Sequence, residues 1–544
     1  MAWPKADIVL RGGPVWCGRG DGVAQAAALW NGVVLATGSA AEIEPLIGPA
    51  TRVIELNGRL ATPGLNDSHL HLISLGLTMA WVDGKPQAAP TLESLLAAIR
   101  ARADKLGPGK WVLARGYDQT KLDVRRHPLR GELDKAAPRN PVLLVRACGH
   151  IAICNSEALR LGGIDESSVA PKGGLIEKKN GRLTGLLAET ARRPVYDALP
   201  APTRAELIDG IEMAGRYLNS FGITSCMDAA VGQKSGFEEI AAYNDAKRAG
   251  RLKVRTWLCL LGDPSRSIVP QCLKAGLVSG VGDDLLKVGA VKIFLDGSAG
   301  GRTAWMSKPY LGADETCGVP ILRDNELNDI VLDYHAKGYQ LACHAIGDAA
   351  IGQLISAYEN ALSSMPAPDR RHRVEHCGYS TSEHHRRMKK AGIYPCPQQV
   401  FVYDFGDAYL SVLGEERGLR SYPFKTWIDL GFRPATGSDA PVCDPSPFPN
   451  LYAMLTRKTW KGTLMDASER AGIQEALEAY TESGAFSQKE EARKGRLVPG
   501  QLADVAVFSR NLLTATPEEI LHDTRADLTI LGGKVVYDRH GQAR

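Results

Sequence analysis

The chain reads as an α/β protein built on a (β/α)8 TIM-like barrel, and two observations carry that reading. Apolar strand-like runs alternate with helical stretches through the middle of the chain, and eight such runs can be counted. The residues suited to metal binding and acid–base chemistry stand at the C-terminal ends of these runs, where a barrel of this kind places its site. Two appendages complete the expectation. Residues 1–62 and 490–544 form a small β-sandwich domain from both chain ends, and 73–220 is a large insertion after the first strand of a barrel occupying 63–489.

In chain order, residues 6–60 carry the runs DIVLRGG, AAALWNGVVLATG and RVIELNGRL, punctuated by Gly and Asn-Gly as hairpins are. CGRGDG at Cys17–Gly22 is a turn, because no helix follows it as a phosphate loop would need. The barrel strands are expected at Gly64–His71, Gly222–Asp228, Val254–Leu261, Leu286–Asp296, Gln340–Ile346, His372–Cys377, Ile393–Gln399 and Pro434–Asp439. Helices are expected between them at Glu326–Lys337 and Ala349–Leu362, and within the insertion region at Leu92–Lys105 and Arg204–Asn219. With 73–220 set aside, the segment from Asn66 to Val442 comes to about 230 residues, close to the ~250 typical of such a barrel. Near the C-terminus, LADVAVFSR (Leu502–Arg510) and DLTILGGKVVYD (Asp527–Asp538) repeat the strand-rich texture of the start, so the two ends are expected to share a sandwich.

Composition excludes several classes. The 544 residues carry 65 Lys and Arg against 61 Asp and Glu, a net charge of +4, with no basic arm to hold nucleic acid or an anionic membrane. Eleven cysteines are scattered without a CxxC, which points to reduced thiols. The start, MAWPKADIVLRGG, does not read as a signal peptide, and no run approaches ~18 uncharged apolar residues. The expectation is a cytoplasmic protein with a small-molecule substrate, no nucleic-acid or membrane partner, and assembly into a homo-oligomer of two or more copies.

The chemistry begins at Ala61–Leu72, ATPGLNDSHLHL. His69 and His71, two apart on a strand, point to the same side and converge, with Asp67 one step back on that face. Neutral imidazoles so placed suit zinc, iron, nickel or copper. In VGAVKIFLDGSAGGR, Lys292 shares a face with Phe294 and Asp296 and points into the barrel if the aliphatic Val291, Ile293 and Leu295 face the helices. A bare ammonium there costs several kcal/mol unless it is paired or used; a salt bridge to Asp296 or another acid is the plain alternative. QLACHAIGDAA ends in His344, HRVEHCG in His376, and RPATGSDAPV in Asp439. Singly, each is as readily a satisfied core or capping residue. Together, in the order HxH, Lys, His, His, Asp on strands one, four, five, six and eight, they are poorly explained by coincidence.

That order resembles the amidohydrolase superfamily of metal-dependent hydrolases. The phrases PGLNDSHLH, VKIFLDGSAGGRTA, CHAIGDAAI, RVEHCG, GSDAPV and PGQLADVAVF resemble its amidohydrolase-3 family, which includes N-substituted formamide deformylases. The resemblance implies two divalent metal ions, zinc first among them. His69 and His71 match the ligands of the buried ion, and His344 and His376 those of the more exposed one. Lys292 matches a lysine carboxylated at Nζ to bridge both ions, and Asp439 matches the acid that contacts metal and takes the proton of the bridging hydroxide's parent water. Carboxylation would turn a costly buried cation into an anion between cations. Water made more acidic by the metal and Asp439 as general base complete the hydrolysis at neutral pH that the resemblance implies.

Outside this set, His384 and His385 in SEHHRRMKK read as a solvated helix face, His335, His522 and His540 as structural or exposed, and His372 as a neighbour supporting the ligands. His150, in RACGHIAICNS, is expected to project from the insertion and orient substrate. Arg302 suits either a substrate carboxylate or a structural salt bridge; Trp305, Phe401 and Tyr403 are candidate aromatic lining. The reaction implied is cleavage of a non-peptide carbon–nitrogen bond, an N-substituted amide, formamide or N-acyl amine. Open beside it are a cyclic imide, carbamate, ester or lactone hydrolase with the same site, a metal-dependent isomerase or decarboxylase, and a non-hydrolytic metal binder.

Overall fold

A computed structural model describes residues 4–119, 121–146, 149, 151–171, 174–312 and 316–541. Seven strands lie side by side in chain order: Leu65–Leu70, Ile223–Val231, Arg255–Leu261, Leu286–Phe294, Gln340–Ala345, Arg373–His376 and Tyr394–Cys396. Each pairs parallel with the next. They are buried almost throughout, all nine residues of ITSCMDAAV for example, which is the texture a parallel sheet covered on both faces requires. Met227, Ala229, Trp257, Cys259, Ala290 and Ala342, contributed by four of these strands, pack into one apolar cluster.

The eighth strand expected at Pro434–Asp439 does not form as a strand. The segment lies between the last and first strands and is held by separate hydrogen bonds: Ser68 N donates to Thr436 O (2.9 Å), Asp439 N to His69 O (2.7 Å), and Thr436 Oγ1 to Pro397 O (3.1 Å). Prolines explain the irregularity. Pro434 here and Pro395 and Pro397 opposite have no N–H to give, so a two-sided ladder cannot run through them, and the seventh strand is cut to three residues for the same reason. The ring of parallel strands is thus nearly closed, as a TIM-like barrel. Gly437 permits the close approach, since a Cβ there would lie 2.5 Å from His69 N.

Helices Asp324–Ala336, Asp348–Ser364 and Ser382–Ala391 follow the fourth, fifth and sixth strands. The last starts on Thr381, whose side chain accepts from His384 N, and stops at Gly392 in the left-handed region (φ 65°). His385 on this helix departs from the solvated-face expectation. It is buried, and its Nε2 meets Ser380 Oγ at 2.8 Å and accepts from Trp427 Nε1 at 3.2 Å, because the short turn before the helix and the tryptophan behind it both bring a partner to that nitrogen.

Contacts divide the chain into two compact units, one of residues up to Ile73 with those from Ile211 onward, the other Ser74–Gly210. In the first unit, the barrel is accompanied by an eight-stranded sheet. Its order is Lys534–Asp538, Ala526–Leu531, Val505–Phe508, Leu60–Pro63, Ile8–Gly18, Gly22–Trp30 and Val33–Gly38, with Arg52–Glu55 also pairing Ile8–Gly18, so strands from both chain ends share it. The second unit has its own six-stranded sheet, from Val82–Asp83 through Arg182–Glu189 and Gly174–Lys179, with helices such as Leu92–Leu106 and Arg130–Ala136.

Candidate metal centre

The six expected side chains come together at the C-terminal ends of the barrel strands. His69 and His71 sit at the end of the first strand with ring centroids 5.8 Å apart. Asp439 approaches both from the closing segment: its Oδ1 lies 3.2 Å from His71 Nε2 and 3.6 Å from His69 Nε2. Ligand atoms of these three residues all fall within 4.8 Å of one another. Across from them, the rings of His344 and His376 are 4.4 Å apart, and His376 is 4.8 Å from His69, which joins the two groups. Lys292 sits between, its Nζ 3.4 Å from His69 Nε2 and 4.7 Å from the Phe294 ring centroid.

Lys292 is fully buried, yet among the described residues no carboxylate lies within 4 Å of its Nζ, so the salt bridge to Asp296 is absent. Asp296 is engaged elsewhere: it accepts from Trp305 N (2.9 Å), Ile346 N (3.0 Å) and Gly347 N (2.8 Å), and its Oδ1 lies 3.2 Å from His344 Nε2. Asp67 is likewise a fastener and not part of the ligand cluster. It accepts from Ser438 Oγ (2.6 Å), Ser438 N and His69 N, tying the closing segment to the first strand, while burial pushes its carboxyl up to about 7.

Two of the imidazoles, His69 and His376, are prepared as neutral donors. Burial, and then the Lys292 charge, pushes His69 down to about 4, and burial with neighbouring His344 holds His376 well below the ordinary histidine range. Burial works to raise the Asp439 carboxyl, but contact with His71 and the charges of His69, His71 and Lys292 outweigh it and keep the group below its ordinary value. Asp439 Oδ1 is nevertheless a buried oxygen that accepts no hydrogen bond among the described residues. A carboxylate oxygen without a hydrogen-bond donor beside two imidazoles, next to a lysine with no carboxylate within 4 Å among the described residues, is a donor set that fits a divalent cation. Backbone strain gathers here as well: His376 and Asp439 hold φ values of 67° and 56°, which non-glycine residues adopt only when their surroundings impose it.

Three residues that the sequence reading passed over complete the centre. Glu375, fully buried, faces His69 Nδ1 and is gripped by Arg373 through Nε (2.7 Å) and Nη2 (2.9 Å). Gln398 Oε1 accepts from His376 Nδ1. Arg373 and Glu375 stand two apart in RVEH with both charges inside a barrel strand, and that demand for partners was the signal available.

The remaining expectations divide. Phe401 stacks on His376 (5.8 Å, 10° between planes) and so lines the centre. Trp305 touches it through its backbone, by way of Asp296. Arg302 lies with its guanidinium beside Gly312 and makes no ion pair among the described residues, and Tyr403 packs edge-on against Tyr452. His150 lies outside the described residues. His372 does not support the ligands: it bonds to His335 Nδ1 (2.9 Å) and Leu341 N (3.0 Å) and stacks on Tyr358, because it precedes the sixth strand and therefore sits at its opposite end. His71, Asp439 and His344 retain side-chain exposures of 16, 10 and 12%, so the centre is approached from their side.

Comparison with known proteins agrees with this geometry. The Amidohydrolase family model matches residues 52–537. The putative amidohydrolase YtcJ of Bacillus subtilis (strain 168) is 30% identical, over 94% of this chain and 95% of that protein. The N-substituted formamide deformylase of Arthrobacter pascens is 27% identical, over 95% and 96%. Among solved structures, an uncharacterized metal-dependent hydrolase from Pyrococcus furiosus superimposes with a TM-score of 0.76 at 25% identity, covering 93% of this chain and all (100%) of that one.

Proposed function

The chain belongs to the amidohydrolase family and is a metal-dependent hydrolase, and from that premise we propose that it cleaves a carbon–nitrogen bond outside peptides, in an N-substituted amide, a formamide or an N-acyl amine. The likeness to a formamide deformylase over nearly the full length supports the substrate class. The observation that carries the catalytic reading is Lys292, wholly buried beside His69 with no carboxylate within 4 Å of its Nζ among the described residues. An ammonium so placed has a use if it gives up two protons and its nitrogen adds to carbon dioxide, becoming an anionic carbamate that would serve as a further ligand of the centre.

His69, His71 and Asp439 would hold one divalent ion and His344 and His376 a second, both zinc in this reading, with carboxylated Lys292 between them. When bound, such ions supply Lewis acidity, polarising a carbonyl and making water acidic enough to ionise near neutral pH. Asp439 then acts as general base: its unpaired Oδ1 takes the proton of the attacking water and returns it to the nitrogen as the carbon–nitrogen bond breaks. His71 and His344 flank the open side, and Phe401 walls it. The same reading treats 1–62 and 490–544 as one β-sandwich domain and 73–220 as an insertion into the barrel 63–489, supported by the sheet that both chain ends share.

The test joins elemental analysis of the purified chain to a panel of N-formyl and N-acyl amines, run beside esters, lactones, cyclic imides and carbamates. Bound transition metal with turnover of the amines is expected. A metal-free protein, or products of unchanged mass, would overturn the reading.

A further inference from the structure

Gln398 is wholly buried at the end of the seventh strand, and its amide has two partners of different kinds. Its Nε2 donates to Cys396 O at 3.1 Å. A backbone carbonyl only accepts, so the nitrogen must be the atom facing it, and the amide cannot be turned round without losing that bond. Oε1 is thereby committed to the other side, where it meets His376 Nδ1. An amide oxygen can only accept. The imidazole must therefore carry its proton on Nδ1, and the lone pair is left on Nε2.

His69 is fixed by the same logic with a different partner, since its Nδ1 faces the Glu375 carboxylate, which Arg373 holds in a two-pronged grip. His344 makes the third case: its Nε2 faces Gly297 O at 3.0 Å and Asp296 Oδ1 at 3.2 Å, which leaves Nδ1 as the donor atom. Each half of the centre thus has a buried carboxylate near one of its histidines, Glu375 behind His69 and Asp296 beside His344, and His376 is the ring held by a neutral amide. Partners of this type orient a ligating ring and set its basicity, commonly by 10–100-fold in metal affinity.

We propose that Gln398 is a positioning residue that locks His376 in the Nδ1–H tautomer and so sets the orientation and basicity of one ligand of the His344–His376 cation site. This rests on the metal-centre reading above. The anchor on Cys396 O is what distinguishes Gln398 from a side chain that merely fills space: tautomer and ring orientation are both set before any ion arrives.

The experiment uses the full-length chain stripped of metal and titrated with Zn2+ against a chromophoric chelator, comparing wild type, Gln398→Met and Gln398→Glu, with 15N-histidine spectra of the metal-free proteins. Wild type should show two affinities. Gln398→Met, close in volume but without the acceptor, should weaken one class of site by about 10–100-fold, leave the other unchanged and shift the His376 signal toward the other tautomer. Gln398→Glu, which keeps an oxygen at that place, should restore or tighten the affected class. Wild-type affinities and tautomer in Gln398→Met, or loss of both classes in Gln398→Glu, would overturn the proposal. A wild type that binds no Zn2+ would instead bring down the metal-centre reading itself.

Discussion

Replacing Lys292 by methionine should make the metal-free protein more stable while destroying its centre. The lysine is fully buried, has no carboxylate within ion-pair reach among the described residues, and has for compensation one contact with His69 Nε2 at 3.4 Å and the face of Phe294 at 4.7 Å. The effective cost of burying an ammonium is several kcal/mol. A desolvated cation–π contact returns ~2 kcal/mol and a single hydrogen bond ~1 kcal/mol. Methionine occupies nearly the same length without charge, so the exchange should stabilise by about 1–3 kcal/mol. The measurement is urea unfolding of chelator-treated wild type and Lys292→Met in buffer free of carbon dioxide, followed by fluorescence, with midpoint and slope both recorded. If the variant were the less stable by more than ~1 kcal/mol, the lysine would have an unseen partner in the metal-free state, and the argument that its burial serves a bound ion would fail.

Three other outcomes are expected. Asp439→Asn should keep its metal by elemental analysis and lose turnover by roughly 10²–10⁴-fold; a near wild-type rate on a good substrate would remove the general base. Glu375→Ala should destabilise the chain by about 3–5 kcal/mol, because Arg373 is left buried without its acid, and an unfolding midpoint within error of wild type would contradict the buried pair. His385, pushed down to about 4 chiefly by burial, stays neutral in the fold while the unfolded chain takes up a proton below about 6.5. Its stabilising share is complete above that pH and drains away between 6.5 and 4. Relative to His385→Phe, wild type should therefore lose about 1.4 kcal/mol per pH unit on acidification, and parallel curves for the two proteins would refute this.

Much of the barrel was legible because its strands are bounded by the same residues that make them visible. Runs such as VGAVKIF and QLACHA are too apolar to face water, and each ends where a ligand stands. What escaped is equally physical. The closing segment is apolar and bounded like a strand, but whether it pairs depends on the prolines of a neighbour nearly 40 residues away in sequence. Glu375 was overshadowed by the histidine beside it, although a buried carboxylate two residues from a buried arginine announces a pair. Asp67 shares a face with His69 as the alternation requires, yet Ser438, 371 positions on, claims it first. His372 and His376 lie four apart on one strand segment, and that spacing separates the two ends of the barrel, so proximity in sequence misled. Local pattern gives the elements; which polar atoms become partners is decided by closure.

The seam between Ser68–His71 and Thr436–Ala440 has a consequence for how the molecule comes to be. His71 N reaches Ala440 O at 2.7 Å and Asp439 N reaches His69 O at 2.7 Å, so the residues that would grip one cation are also those that fasten the first and last parts of the ring. Contacts so distant along the polymer are slow to be made. During synthesis, a chain that has not yet emerged beyond Asp439 has no complete cradle for that ion, and cation capture then acts as a latch thrown only when the circle is whole. A cell supplying metal to this chain would be rewarding finished molecules alone.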